Sequence, residues 1–278
     1  MSAKPGELQT INKARTIVKG TFKSDTKDVG ITINGILAEV IPESSNRGTS
    51  NQWIANGVPL TIGANTITAT IKDSGGNIET TSITINTTDI SQPVTLSANI
   101  TSGIAPLTTY FSVSTSFTPV SYQMDFEGDG IIDYTGATFE DITHTYTTEG
   151  IFYPTLTVTD NQGNTYSDTI AITVLNKAEI DTLLKEKWEG MKVAMKNQDI
   201  EGALGYFVER SKERYRSVFE ALKDQLPMIL ETFVEFNIVE VFDNAAEYEI
   251  VANENGVLYS YPGMLIKDEN GIWKFKDF

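Results

Sequence analysis

Residues 119–136 read PVSYQMDFEGDGIIDYTG, and residues 144–174 read HTYTTEGIFYPTLTVTDNQGNTYSDTIAITV. In the second stretch, Thr and Val alternate up to DNQGN (160–164) and β-rich sequence resumes beyond it. That is the pattern of a long antiparallel hairpin closed by Asn and Gly, residues that tolerate positive φ. In the first stretch an apolar strand runs into Gly128-Asp129-Gly130, a tight turn. With APLTTYFSVST (105–115) ahead of them, these strands and turns specify an all-β domain.

The order of the signals is more specific than their composition. A Pro-Leu strand opening at 106–107 precedes an Asp125-Phe126 strand that ends in Gly-Asp-Gly. His144-Thr145-Tyr146 follows, with Gly150 four residues after the Tyr, and then the long Thr/Val hairpin. This series resembles the polycystic kidney disease (PKD) domain. The resemblance implies an immunoglobulin-like β-sandwich from about Pro93 to Val174, in a modular cell-surface or secreted protein. The Trp usual before the central strand is replaced around Tyr122 to Met124, a conservative departure.

Working outward towards the N-terminus, TIVKGTF, VGITING, ILAEVI, QWIANGVPL, NTITATIKD and IETTSITI read as short strands with period-two alternation. Asn34-Gly35 is a type I′ hairpin signal, and Gly63 and Gly75-Gly76 mark further turns. VKGTF, ITINGILAEV and VPLTIGANTITATIKDSGGN resemble the bacterial Ig-like domains found beside carbohydrate-active enzymes, such as the second domain of glucodextranase. That resemblance implies a fold and no ligand.

From Asn176 the texture turns helical. Asn176 can cap a helix whose Ile180, Leu184, Trp188, Met191 and Met195 form one apolar stripe. Further helices are expected at 199–207 and from Lys212 to about Leu226, ending near Pro227. Strands are expected at 232–242, 246–252, 257–267 and 272–277. Helices first and a meandering sheet afterwards give an α+β domain. DIEGALGYF and YSYPGMLIKDENGIWKFKDF make it resemble the cone-shaped fold of the nuclear transport factor and ketosteroid isomerase superfamily.

The expected architecture is therefore multidomain. A flexible segment (1–15) leads into an Ig-like sandwich (16–90) and a PKD-type sandwich (91–175), and an α+β domain of helices packed on a curved antiparallel sheet (176–278) follows.

Charge narrows the function. The chain of 278 residues carries a net charge of −16 and a pI near 4.5, which works against binding a phosphate backbone and so against nucleic acid as a partner. Residues 91–175 hold nine acidic side chains and no Lys or Arg. Such a domain repels itself, and a bound cation would relieve the repulsion. The chain has no Cys, which excludes disulfides and thiolate metal sites. No apolar run approaches the roughly 20 residues of a membrane helix, so no membrane insertion is expected in this stretch. The start, MSAKPGELQTINK, lacks a signal-peptide core. The expected location is extracellular or the cell envelope of a bacterium or archaeon, with the export signal absent from this sequence.

The sharpest candidate site is Asp125, Glu127, Asp129 and Asp133, at positions 1, 3, 5 and 9 of an EF-hand-like loop with Gly130 at position 6. Ca²⁺ seeks six to eight hard oxygens, and the Gly lets alternating side chains converge. Position 12 is Gly136 and lacks the bidentate Glu, so the expected affinity is weak, about 10⁻⁴–10⁻³ M. The competing reading is that these carboxylates satisfy amides of their own loop. His144, the only histidine, lies in the His-Thr-Tyr strand and is read as structural, because a triad or zinc site needs partners. No acid pair stands in a glycosidase motif, and no catalytic residue is assigned.

In the C-terminal domain, Trp188, Tyr206, Phe207, Tyr215, Phe219, Phe233, Phe236, Tyr248, Tyr259, Tyr261 and Trp273 either fill a core or line a small-ligand pocket. Lys212 to Arg216 reads as the solvated face of a helix, with a salt-bridging partner such as Glu220, the alternative being a small basic patch. The function expected is a non-catalytic spacer or adhesion protein contacting protein or polysaccharide. The alternative is small-ligand binding, or a minor enzymatic activity, in the C-terminal pocket. A homodimer through the C-terminal sheet is a further expectation.

Overall fold

The computed structural model describes residues 9–24, 26, 28–41 and 51–277. The chain is mostly β, with four helices among the described residues, all towards the C-terminal end, and it divides into two compact units, Met1–Leu175 and Asn176–Phe278. Among the described residues no helix is long and apolar enough to cross a membrane.

The first unit holds two β-sandwiches with separate cores. In the N-terminal one, a sheet ordered Gln9–Thr10, Ile78–Thr87, Gly63–Asp73, Val29–Ile33, Ile36–Leu37 faces a sheet of Arg15–Thr21, Gln52–Pro59 and Glu39–Ile41. Alternation puts Ile31, Ile33, Trp53, Ala55, Val58, Ile67 and Ile85 inside. Asn34 (φ 49°) and Gly35 (φ 83°) form the turn between Ile33 and Ile36, as their sequence requires. One expectation fails. Part of the leading segment expected to be flexible is paired, because Gln9–Thr10 runs parallel to Ile85–Asn86 and the Ile11 N–H donates to the Asn86 carbonyl. Residues 1–8 lie outside the described residues.

In the second sandwich, Ile142–Tyr146, Leu107–Thr115 and Val94–Ala98 form one sheet. Tyr134–Gly136, Pro119–Asp125, Thr155–Asp160 and Thr165–Thr169 form the other. Val94, Leu96, Phe111, Tyr122, Met124, Tyr146, Leu156 and Val158 fill the space between them. Tyr122 and Met124, which stand where a Trp was expected, are both core residues.

The two sandwiches are joined by side chains as well as by the linker. Asn56 acts as a surrogate peptide: its Nδ2 donates to the Ala171 carbonyl and its Oδ1 accepts the Ala171 N–H, both at 2.8 Å. Arg15 donates to the Leu96 carbonyl and to Asp168 Oδ2, each at 2.9 Å. The same Asp168 oxygen accepts the Leu96 N–H at 2.9 Å, and Asp168 is only 4% exposed. Lys19 Nζ donates to the Tyr153 hydroxyl at 2.9 Å.

In the second unit, helix α1 (Lys177–Lys196) is capped by the Asn176 side chain, which accepts the Glu179 N–H. Its expected stripe is buried, joined by Leu183. Helices α2 (Ile200–Leu204) and α3 (Glu209–Ala221) follow. Pro227 does not end α3; it lies in the first turn of a fourth helix, α4 (Leu226–Thr232). Proline is tolerated there because the first-turn N–H has no intrahelical partner anyway. Strands Phe233–Phe242, Ala245–Glu254, Val257–Lys267 and Trp273–Asp277 then form an antiparallel meander.

Candidate functional site

The acidic loop leaves the strand Pro119–Asp125 and returns at Asp133, whose N–H donates to the Met124 carbonyl. Gly128 (φ 76°) and Gly130 (φ 89°) bend it. A Cβ on Gly128 would stand 2.7 Å from the Tyr153 carbonyl oxygen, so this position needs glycine on two grounds.

Of the four expected ligands, three converge. Oxygens of Asp125, Glu127 and Asp133 lie within 4.8 Å of one another, whereas Asp129 is outside the group. The loop also uses these carboxylates internally. Asp125, 6% exposed, accepts the N–H groups of Gly128 (2.6 Å) and Gly130 (2.8 Å). Asp133 accepts the Phe126 N–H and Asp129 accepts the Ile131 N–H, each at 2.8 Å. Glu127 faces out of the loop towards His144, with its Oε1 3.0 Å from His144 Nε2.

Electrostatics single out that pair. Burial, then Asp133 and Asp129, raise the Glu127 pKa above the ordinary carboxylate range. Burial lowers that of His144, against the pull of Asp133. His144 also stacks on Phe126 at 4.7 Å and meets the edge of Tyr146 at 4.6 Å. Tyr146 is buried and donates to the Phe126 carbonyl at 2.9 Å. His144 is thus a part of the wall behind the loop, with one carboxylate partner.

In the C-terminal unit Trp188, Phe207, Tyr215, Phe219, Phe236, Tyr248 and Phe275 are buried against one another. Trp188 stacks on Phe236 with ring centres 5.2 Å apart. Tyr259 and Tyr261 belong to no interior, being 46% and 43% exposed. A groove of about 390 Å³ lies against α1, lined by Lys185, Trp188, Glu189, Lys192 and residues 233–237. Arg216 pairs with Glu201 and Lys212 with Glu209, in place of the expected Glu220.

Sequence reading missed Asn56, Arg15 and Asp168. They meet across 115 and 153 residues, and nothing local marks them.

Residues 90–174 match the family model described as PKD domain, which supports a PKD domain in that segment. No curated protein matches the chain. Among solved structures, the PKD1 domain of the Vibrio cholerae metalloprotease PrtV is 27% identical, with 30% of this chain and 95% of that one covered and a TM-score of 0.24. The Bacteroides ovatus mixed-linkage glucan utilization protein SGBP-B, in complex with a heptasaccharide, is 13% identical, covering 62% and 44%, with a TM-score of 0.20. The Yersinia pseudotuberculosis adhesin InvE is 14% identical, covering 61% and 57%, with a TM-score of 0.23.

Proposed function

We propose that this protein is a non-catalytic module of a cell surface or secreted assembly, in which the two sandwiches form a stiff arm that spaces and presents surfaces to protein or polysaccharide. The observation that carries this reading is the junction between the sandwiches. A flexible tether needs no specific contacts, whereas here a buried carboxylate, a guanidinium and a surrogate amide fix one sandwich on the other. The match to PKD domains over residues 90–174 supports the same class.

The chain has no Cys, so spin labels can be placed at will. Labels at S82C and T135C, one exposed site on each sandwich, should give a single narrow distance distribution. A broad or multimodal one would remove the spacer reading. A glycan array and a cell-wall pull-down that both came back empty would remove the adhesion half.

The Asp125, Glu127 and Asp133 cluster supports a weak accessory role for Ca²⁺. Because the loop amides already occupy oxygens of Asp125 and Asp133, binding belongs in the range of about 10⁻⁴–10⁻³ M. Calorimetric titration with no heat at millimolar Ca²⁺ would dispose of it.

For the C-terminal unit, helices followed by a meander support the cone-like reading, and the groove beside α1 is where its small ligand would sit. Loss of fluorescence response in W188F to a panel of small ligands is the test. Exposed Val234, Val239, Leu258 and Tyr259 support assembly through this unit's sheet, to be read by light scattering at several concentrations.

A further inference from the structure

The junction of the sandwiches holds a cleft of about 430 Å³, within the size range of small-molecule sites and in the setting, between domains, where such sites concentrate. We propose that this cleft binds a small aliphatic carboxylate. The inference rests on the stiff-arm reading, since only fixed sandwiches give the cleft a lasting shape.

Its chemistry sets the ligand class. Among the described residues lining it, the charged ones are Lys13, Arg15 and Asp168. The Arg15 charge is taken up by Asp168 at 2.9 Å. Lys13 is half-buried and has no hydrogen bond or ion pair to another described residue. Among the described lining residues, Lys13 is therefore the one positive charge left without a partner, on a chain of net charge −16. An anion is the complementary occupant, and repulsion from the surrounding acids restricts it to one of low charge.

The remaining surface is mostly apolar, with Thr, Ser and Asn side chains among the aliphatic ones, and it is not aromatic. Ile11, Ile17, Ala98 and Ile170 line the walls, and no ring is among the described lining residues. Sugars usually stack on aromatic faces, and none is offered here. An alkyl body gains from burial against such walls while its carboxylate meets the Lys13 ammonium.

Hexanoate and hexanamide are the probes, titrated into the full chain and followed by calorimetry and by NMR shifts of Ser97 and Thr169. Hexanoate should bind saturably and hexanamide about tenfold more weakly, the worth of one charge-assisted hydrogen bond. K13Q should erase the difference. S97F, which fills the cleft from an exposed position, should abolish binding of both while leaving the melting curve in place. Absence of saturable binding would overturn the proposal, as would equal binding of the two probes, an unaffected K13Q, or preference for galacturonate over hexanoate. A narrow label distance with no hexanoate binding would refute the cleft site and leave the arm standing. A broad distance would refute both.

Discussion

Replacing Asn56 with Ala isolates the surrogate peptide at the junction. The substitution deletes two hydrogen bonds of 2.8 Å, each worth about 1 kcal/mol net. It also leaves the Ala171 N–H and carbonyl, on a residue with no exposure, without their partner. An unmade buried donor costs about 1–3 kcal/mol. Water can enter the space the amide vacates, so the total should fall near the lower end, about 2 kcal/mol. Since about 1.4 kcal/mol is tenfold in an equilibrium, local opening around residue 171 should become roughly 30-fold more frequent. Hydrogen exchange of the full chain reads this directly, in a peptide spanning residues 168–175. The cores around Met124 and Ile33 should keep their protection, because they are separate clusters. Unchanged exchange at Ala171, or equal loss of protection in both cores, would refute the idea that this contact holds the junction locally.

Three other outcomes follow from the same geometry. Glu127→Gln should raise the melting temperature near pH 7: a raised folded pKa means that the group stabilises when protonated, below about pH 4.5, and that this is lost as pH rises through the folded value. The gain should vanish in melts near pH 4. Tyr146→Phe leaves the buried Phe126 carbonyl without its donor and should cost about 1–2 kcal/mol in urea titration, with a change confined to the middle domain's transition. Gly263→Ala would put a Cβ 2.3 Å from the Tyr248 ring, which is buried and donates to the Asp277 carbonyl. Moving that ring should cost about 1–3 kcal/mol, seen as an earlier melt of the C-terminal unit.

What the sequence revealed and what it hid follow from the range of the interactions. The Asn34-Gly35 turn, the Asn176 cap and the Trp188 stripe are local, each set by residues within a few positions of one another, and all can be read directly. Pro227 misleads because the same ring that stops one helix suits the first turn of the next. The acidic loop is half legible. Spacing brings Asp125, Glu127 and Asp133 together, but Asp129 turns to the Ile131 N–H, a choice made by loop geometry that carboxylate spacing does not encode.

The Lys/Arg-free middle domain sharpens the point. Three of its acids are buried, Asp125, Asp160 and Asp168, and a buried carboxylate must be paired or fully hydrogen-bonded. With no Lys or Arg of its own, the domain must use neutral donors or borrow charge. Asp125 uses the glycine N–H groups of its loop. Asp160 uses Gln162 and Asn164 in the DNQGN turn, which lowers its pKa. Asp168 has a single strand N–H and the Gln92 side chain, and its charge is met by Arg15 of the neighbouring sandwich. The charge asymmetry visible in the sequence therefore has a structural consequence: one buried acid of the middle domain is compensated only while the first sandwich stays docked. Arg15→Gln should then destabilise the middle domain, although the substitution lies outside it. The expected loss is about 1–3 kcal/mol, below the full cost of breaking a buried pair because Arg15 is partly exposed. If hydrogen exchange of the Leu96 amide in R15Q matched the wild type, Asp168 would be satisfied without its neighbour, and the coupling of the sandwiches would rest on the Asn56 and Lys19 contacts.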